Sequence, residues 1–299
     1  MAAFSMSFDQ QNQSGAPRPR TASDVPVADL SHLYNEPDPR AYYAALGTLD
    51  YQTPDHIQKL ARWCCGQRQE PFGTDEIWAI DIGCGYATNA AGLRNGIAPQ
   101  ALYSRYRDPT ISALDTDALH HEDHRYFSKT IETAVNVAGI DTAHTALTYG
   151  VKAGLLKAAF SDDLTQSAPS PELADIVTKT TVIMESGVPI FILPYILDSI
   201  LSVTNEECKP WLVTAPPRYT DLSVYREILM RHGYVLQHAH PDSLPHRRFF
   251  SEQEKADVIA AQTAMGLDNK LEEKDGYVRV ELLLARPECD AEAEITFAL

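Results

Sequence analysis

Positive charge is what this sequence has least of for its size. Its 299 residues carry 25 Lys and Arg against 41 Asp and Glu, a formal charge of −16. That deficit argues against a nucleic-acid partner, because neutralising a phosphate backbone needs clustered Lys and Arg. It argues equally against an anionic membrane surface. Long apolar runs are missing too: the longest, residues 188–196 around Pro194, is too short to span a bilayer. The opening MAAFSMSFDQQNQSG has neither the charged nor the apolar part of a signal peptide. The five cysteines (64, 65, 84, 208 and 289) are odd in number and show no CxxC spacing, so no disulfide framework or metal site is expected. They read as reduced thiols of a cytoplasmic protein, with Cys64 and Cys65 packing inside a helix. No internal repeat is visible.

What is present is an ordinary 44% of hydrophobic residues, enough for a sizeable core. Residues 1–27 are rich in Ser, Gln, Pro and Ala and predict a disordered tail, since such a segment buries too little apolar surface to offset its ordering entropy. Residues 28–75 predict a cap of short helices, with Pro39 and Pro54 near helix starts. The cap carries Tyr34, Tyr42, Tyr43, Tyr51 and His56, which either pack among themselves or form a lid over a ligand pocket. Residues 76–288 form the main domain, and 289–299 a C-terminal tail.

The chain is organised around EIWAIDIGCGYATN, residues 76–89. Residues 77–82 are almost wholly apolar, the pattern of a strand covered on both faces. The strand runs into Gly83-Cys84-Gly85 and then a segment able to start a helix. Glycines at a strand–helix turn let a ligand approach the backbone beside exposed helix NH groups. Asp81, at the strand end, can accept a hydrogen bond from an ammonium or hydroxyl.

Residues 97–133 are a helical insertion containing His120, His121, Glu122, Asp123 and His124. His120 and His124 have the i, i+4 spacing of a metal-binding helix, but Glu does not directly follow the first His and no third ligand is indicated. A polar helix face is preferred, and no metal is expected. Residues 135–141 predict a second strand ending in Asp141. In open parallel sheets ligands lie beyond the strands' carboxyl ends, and an acid ending the second strand takes ribose hydroxyls. Such an acid normally lies about 20 residues past the glycines, and the insertion accounts for the longer gap. Asp115 and Asp117 compete for that role, but Asp141 follows a better strand and precedes a better helix.

Further strands are predicted at 156–160, 180–185, 211–215, 235–238 and 277–285, with helices at 142–155, 196–203, 219–232 and 250–265. The alternation points to an α/β fold: a doubly wound Rossmann-like sheet with an N-terminal helical cap and a helical insertion after the first strand.

With these pieces in order, the chain resembles the class I S-adenosylmethionine-dependent methyltransferases. The resemblance rests on AIDIGCGYATN, GID at 139–141, SDDL at 161–164 and VIMESG at 182–187. Over LYSRYRDP, ESGV and the closing RRFFSEQEK…GLD…DGYVRVELLLARP it is similar to an uncharacterised bacterial branch of that superfamily. The motif's usual third glycine is replaced near Ala87 and Thr88.

The resemblance implies S-adenosylmethionine as cofactor. Asp81, Gly83, Cys84 and Gly85, with Tyr86 beside them, would hold its methionine end. Asp141 and the adjoining Thr142 would hold the ribose, and Asp162, Asp163 and Leu164 the adenine. Glu185 and Ser186 would lie where substrate meets the sulfonium. Glu185 could deprotonate an acceptor, or be a strand-end carboxylate bound to loop NH groups. Tyr51 is the cap tyrosine assigned to catalysis, since tyrosines can stabilise a sulfonium by cation–π contact.

The expected activity is methyl transfer to a small-molecule acceptor, a secondary metabolite or an amino-acid-like compound. One alternative uses the cofactor's aminocarboxypropyl arm, as in cyclisation to azetidine-2-carboxylate with release of methylthioadenosine. Another is a non-catalytic binding protein. A nicotinamide-dependent dehydrogenase is disfavoured, because GCGYAT lacks GxGxxG spacing and no Tyr-x-x-x-Lys helix follows. His246-Arg247-Arg248 either grips a carboxylate or forms a surface cluster. Oligomeric state is not indicated.

Overall fold

A computed structural model describes residues 31–72 and 76–299; the expected tail at 1–27 lies outside the described residues. After a 3-10 turn at Ser31–Asn35, helices α1 (Arg40–Thr48) and α2 (Thr53–Phe72) precede strand β1 (Trp78–Ile82). Helix α3 (Thr88–Asn95) follows the glycine turn. The insertion forms α4 (Pro99–Arg107), α5 (Pro109–Ser112) and α6 (Thr116–Lys129) before β2 (Asn136–Ile140). Next come α7 (His144–Lys152), β3 (Ala158–Phe160), α8 (Pro171–Val177), β4 (Thr180–Glu185), α9 (Leu193–Leu201) and β5 (Trp211–Thr214). The chain closes with α10 (Ser223–Arg231), β6 (Tyr234–His238), β7 (Leu244–Arg248), α11 (Glu252–Ala264), α12 (Lys270–Asp275), β8 (Tyr277–Val280) and β9 (Leu283–Pro287).

The main sheet has the order β3-β2-β1-β4-β5-β9-β6. β1 to β5 pair in parallel, and β9 runs antiparallel to both its neighbours. This is the doubly wound sheet expected from the sequence. The direction of winding reverses between β1 and β4, and the crevice beyond the carboxyl ends of such a pair is where open α/β sheets bind ligands.

Strand alternation sorts the core into two layers. Ala79 of β1 faces one side with Val137, Val182 and Met184, against Ile57, Leu60 and Cys64 of α2 and Ala90, Ala91 and Leu93 of α3. Trp78, Ile80 and Ile82 face the other side with Ala138, Ile140 and Ile183, against α8, α9 and α10. Helix starts are fixed chemically. Asp115 accepts a bond from Ala118 N at the start of α6, and Ser170 caps α8, whose first residue is Pro171.

Three expectations are corrected. The strand expected over 277–285 is two strands, and β8 leaves the main sheet to pair with β7, which was not expected at all. Leu-Pro-His-Arg-Arg reads poorly as a strand, yet a two-stranded ribbon consists of edges, where proline and charge are tolerated. The helix expected over 219–232 starts at Ser223, where Asp221 accepts a bond from Ser223 N. The HHEDH stretch is not uniformly a polar face, because Asp123 is completely buried. The C-terminal residues fold back: Asp290 accepts bonds from Arg68 and from the Trp211 indole, and Phe297 packs on Trp63.

Candidate active site

Four neighbouring parallel strands end in acids. Asp162 lies just past β3, Asp141 directly after β2, Asp81 is the second-last residue of β1, and Glu185 closes β4. Gly83, Gly85 and Ala87 between β1 and α3 all have positive φ, at 64°, 49° and 62°. Ala87 therefore takes the left-handed conformation at the place of the missing third glycine.

Asp81 is fully buried. Its Oδ1 accepts a 2.8 Å bond from Asn89 Nδ2, and its Oδ2 has no partner among the described residues. Burial pushes its carboxyl up to about 8; the Asn89 bond opposes this, and Asp141 and Glu185 add to it. None of the causes acting on Asp81 is a cation. Asp141 ties two loops together: its Oδ2 accepts from Gly85 N and its Oδ1 from Ala143 N, each at 2.8 Å. Thr142 beside it is exposed. Asp162 accepts from Ser170 N, Asp163 turns back to Thr165, and Leu164 is buried. Asp115 and Asp117, the competing ribose acids, lie at the start of α6.

Glu185 and Asp81 occupy opposite faces of the sheet. Ile82 pairs with Glu185 and Asp81 with Met184, and directly paired residues share a face. Glu185 therefore points with Ile82 toward the α8–α10 layer. One oxygen accepts from Thr214 Oγ1, and the other from Gly187 N and Val188 N at 3.0 and 3.1 Å. Burial raises its carboxyl, and these bonds oppose the rise. This is the arrangement of a strand-end carboxylate bound to loop NH groups. Ser186, not Glu185, meets Asp81's surroundings: its Oγ is 3.0 Å from Asn89 Nδ2.

Side chains from before β1 and from after β4 cover these tips. A Cβ on Gly85 would stand 2.7 Å from Tyr34 Cε1, and one on Gly83 would stand 2.5 Å from Val188 Cγ2. The close approach that both glycines permit is taken in this structure by the chain's own side chains. Burial, and next the charge of Asp141, raise the Tyr34 hydroxyl to about 12. Tyr51 donates to the Ser186 carbonyl, and its ring meets His246 edge-on at 5.2 Å. Tyr86 turns away from the tips; its hydroxyl lies 2.9 and 2.7 Å from the carbonyls of Leu33 and Glu36. Cys84 is buried, with its sulfur 2.6 Å from where a Cβ on Gly139 would stand.

The β7–β8 ribbon holds the chain on either side of Tyr51. Gln52 N donates to His246 O, Arg248 N to Leu49 O, and Thr53 Oγ1 bonds His246 Nδ1 at 2.7 Å. Burial drops the His246 imidazole to about 3, so it is neutral at physiological pH. The basic trio is divided: Arg247 pairs with Glu254, and Arg248 lies over the Tyr277 ring. No His, Cys, Asp and Glu cluster among the described residues is arranged to hold a metal ion. Sequence reasoning missed Asn89, which links Asp81 to Ser186. Its signal was present as the amide two residues into the helix after the glycine turn.

No family model matches this chain and no curated protein matches it. Among solved structures, it is similar to the plantazolicin methyltransferase BpumL in complex with SAH at 13% identity, covering 84% of this chain and 91% of that one, with a TM-score of 0.41. The magnesium protoporphyrin IX methyltransferase ChlM from Synechocystis PCC 6803 with bound SAM shows 10% identity, coverage of 78% and 79%, and a TM-score of 0.39. The [4+2]-cyclase SpnF shows 16% identity, coverage of 76% and 80%, and a TM-score of 0.35. Likeness at this level carries no residue role, ligand or reaction over to this chain.

Proposed function

We propose that this chain is an S-adenosylmethionine-dependent transferase, and that it moves a methyl group to a small-molecule acceptor. The observation that carries the reading is the charge of the crevice. Acids end β1, β2 and the loop after β3, and the buried Asp81 has an oxygen with no partner among the described residues and no cation among the causes acting on it. Such a crevice repels the pyrophosphate of a nicotinamide dinucleotide and favours a nucleotide whose other end is cationic.

On this reading Asp81 takes the ammonium of the methionine end. Gly83, Gly85 and the backbone of Cys84 and Tyr86 line that end, which requires Val188 and Tyr34 to swing aside. Asp141 still has lone pairs for ribose hydroxyls beside Thr142, while Asp162, Asp163 and Leu164 border the adenine. When bound, the nucleotide supplies an electrophilic methyl carbon. The acceptor's lone pair forms the new bond as the carbon–sulfur bond breaks toward sulfur, so the protein chiefly aligns the partners and excludes water. Tyr51, anchored on the Ser186 carbonyl, is placed to close the site above β4. Glu185 has both oxygens engaged, so its contribution on this reading is to fix the loop carrying Ser186 and Val188. A cytoplasmic setting belongs to the same proposal and is supported by five unpaired cysteines.

A second reading, chemistry on the aminocarboxypropyl arm, is favoured by one observation: Tyr34 and Tyr51 already close over the tips, which suits a reaction needing no second substrate. Incubating the purified protein with S-adenosylmethionine, alone and with candidate acceptors, separates the two by product mass. S-adenosylhomocysteine means methyl transfer, methylthioadenosine means arm chemistry, and an absence of binding by calorimetry overturns both.

A further inference from the structure

We propose that Asn89 is a second binding residue for the ammonium end of the nucleotide, forming with Asp81 a paired-acceptor clamp. The inference rests on the cofactor reading above and adds a residue to it. Asn89, the second residue of α3, is 3% exposed. Its Nδ2 is committed twice, to Asp81 Oδ1 at 2.8 Å and to Ser186 Oγ at 3.0 Å. An amide is planar, so fixing both N–H directions also fixes where its carbonyl oxygen points.

That oxygen, Asn89 Oδ1, has no partner among the described residues, and neither does Asp81 Oδ2. Two orphan acceptors thus belong to side chains joined by one hydrogen bond at the tip of β1, both shielded from water. Leaving a buried acceptor unpaired is destabilising, and two linked ones mark a place shaped for a multiple donor. A primary ammonium has three N–H groups and no acceptor, whereas a hydroxyl offers one and a carboxylate or phosphate offers none. With Asp141 and Glu185 both acting on Asp81 and no cation among the causes that shift it, a positively charged donor also meets the electrostatic need. Asn89 would therefore bind ligand directly and also hold the Asp81 carboxylate in the orientation that aims Oδ2.

The test compares two nucleosides that differ in the arm. S-adenosylhomocysteine carries the amino-acid end, and methylthioadenosine keeps adenosine and thioether but lacks it. By calorimetry, Asn89→Ala is expected to weaken S-adenosylhomocysteine binding about 10- to 100-fold, the scale of a lost hydrogen bond to a charged group. Methylthioadenosine binding should stay close to wild type. Equal weakening of both nucleosides, or unchanged S-adenosylhomocysteine affinity, overturns the clamp. Should Asn89→Ala melt early, Asn89→Ser, which keeps a small polar group beside Asp81, serves in the same comparison. Failure of the wild-type protein to bind S-adenosylhomocysteine would instead sink the cofactor reading, so the two failures are told apart.

Discussion

Asp123 and Asp81 are both completely buried carboxylates, and their surroundings differ in kind. Asp123, in the helical insertion, accepts from Arg105 at 2.7 Å, from the Tyr106 hydroxyl at 2.9 Å and from the Tyr149 hydroxyl at 2.8 Å. Asp81, at the tip of β1, has one bond from an amide and an empty oxygen. The first is a tie between three helices, saturated because a buried charge left unpaired would destabilise the fold. The second is unfinished among the described residues, as expected of a group whose partner arrives from outside.

Removing each acid should therefore act in opposite directions. Asp123→Ala strands Arg105 and two tyrosine hydroxyls, and is expected to cost about 3–5 kcal/mol in urea unfolding, the usual penalty for breaking a buried pair. Asp81→Asn replaces an under-paired buried acid with a neutral group of nearly the same shape, so stability should hold or rise by roughly 1 kcal/mol, as substitutions at strained functional sites commonly do. Binding of S-adenosylmethionine to that variant should weaken by about 1.5–3 kcal/mol. Equal destabilisation by both substitutions would erase the distinction.

The same contrast predicts a pH dependence. Asp81 titrates near 8 in the folded, empty protein because of its burial, against a usual value of 3.8. Between those values the folded state holds a proton that the unfolded chain has released, so this group's contribution to stability falls as pH rises from about 4 to about 8. An incoming ammonium needs the carboxylate. Affinity should therefore climb by up to about tenfold per pH unit toward pH 8, with proton release on binding. Calorimetry in two buffers of different ionisation enthalpy reads that release, and Asp81→Asn should abolish it. An affinity flat between pH 6 and 8 in the wild type would remove the argument.

The cap supplies a smaller effect. Tyr34 covers Gly85, so ligand binds only the fraction of molecules in which that ring has moved, and apparent affinity falls by that fraction. Tyr34→Ala should speed S-adenosylhomocysteine association on the order of several-fold in stopped-flow fluorescence. Slower association would instead mean that the ring helps to hold the ligand.

How much of this could be read from the sequence follows from the range of each interaction. β1, β2 and β4 were legible because their apolar runs are local, and the acids at their ends come with them. The ribbon of β7 and β8 was not, because Pro245 and its basic neighbours argue against a strand until a partner at 277–280 is in place. Asp123 looks like one charge among several in HHEDH; its partners lie 17 to 26 residues away on other helices, and no local pattern announces them. The covering of Gly83 and Gly85 depends on Val188 and Tyr34, which are remote in sequence. The facing of Glu185 was not legible, because which residue of β1 it pairs with is fixed only when the two strands meet.

The smallest expected effect concerns the glycine turn itself. Ala87 holds φ 62° where related turns place glycine, a conformation that costs a non-glycine residue about 1–2 kcal/mol. Its methyl group is fully buried, and burying one such carbon is worth about 0.8 kcal/mol. Glycine would relieve the first quantity and forfeit the second, and would also add freedom to the unfolded chain worth roughly 0.4–1 kcal/mol. Ala87→Gly is therefore expected to leave stability within about 1 kcal/mol of wild type, because the three effects nearly cancel. A loss above about 2 kcal/mol would show that the methyl is a packing anchor for the turn rather than a tolerated substitute for glycine.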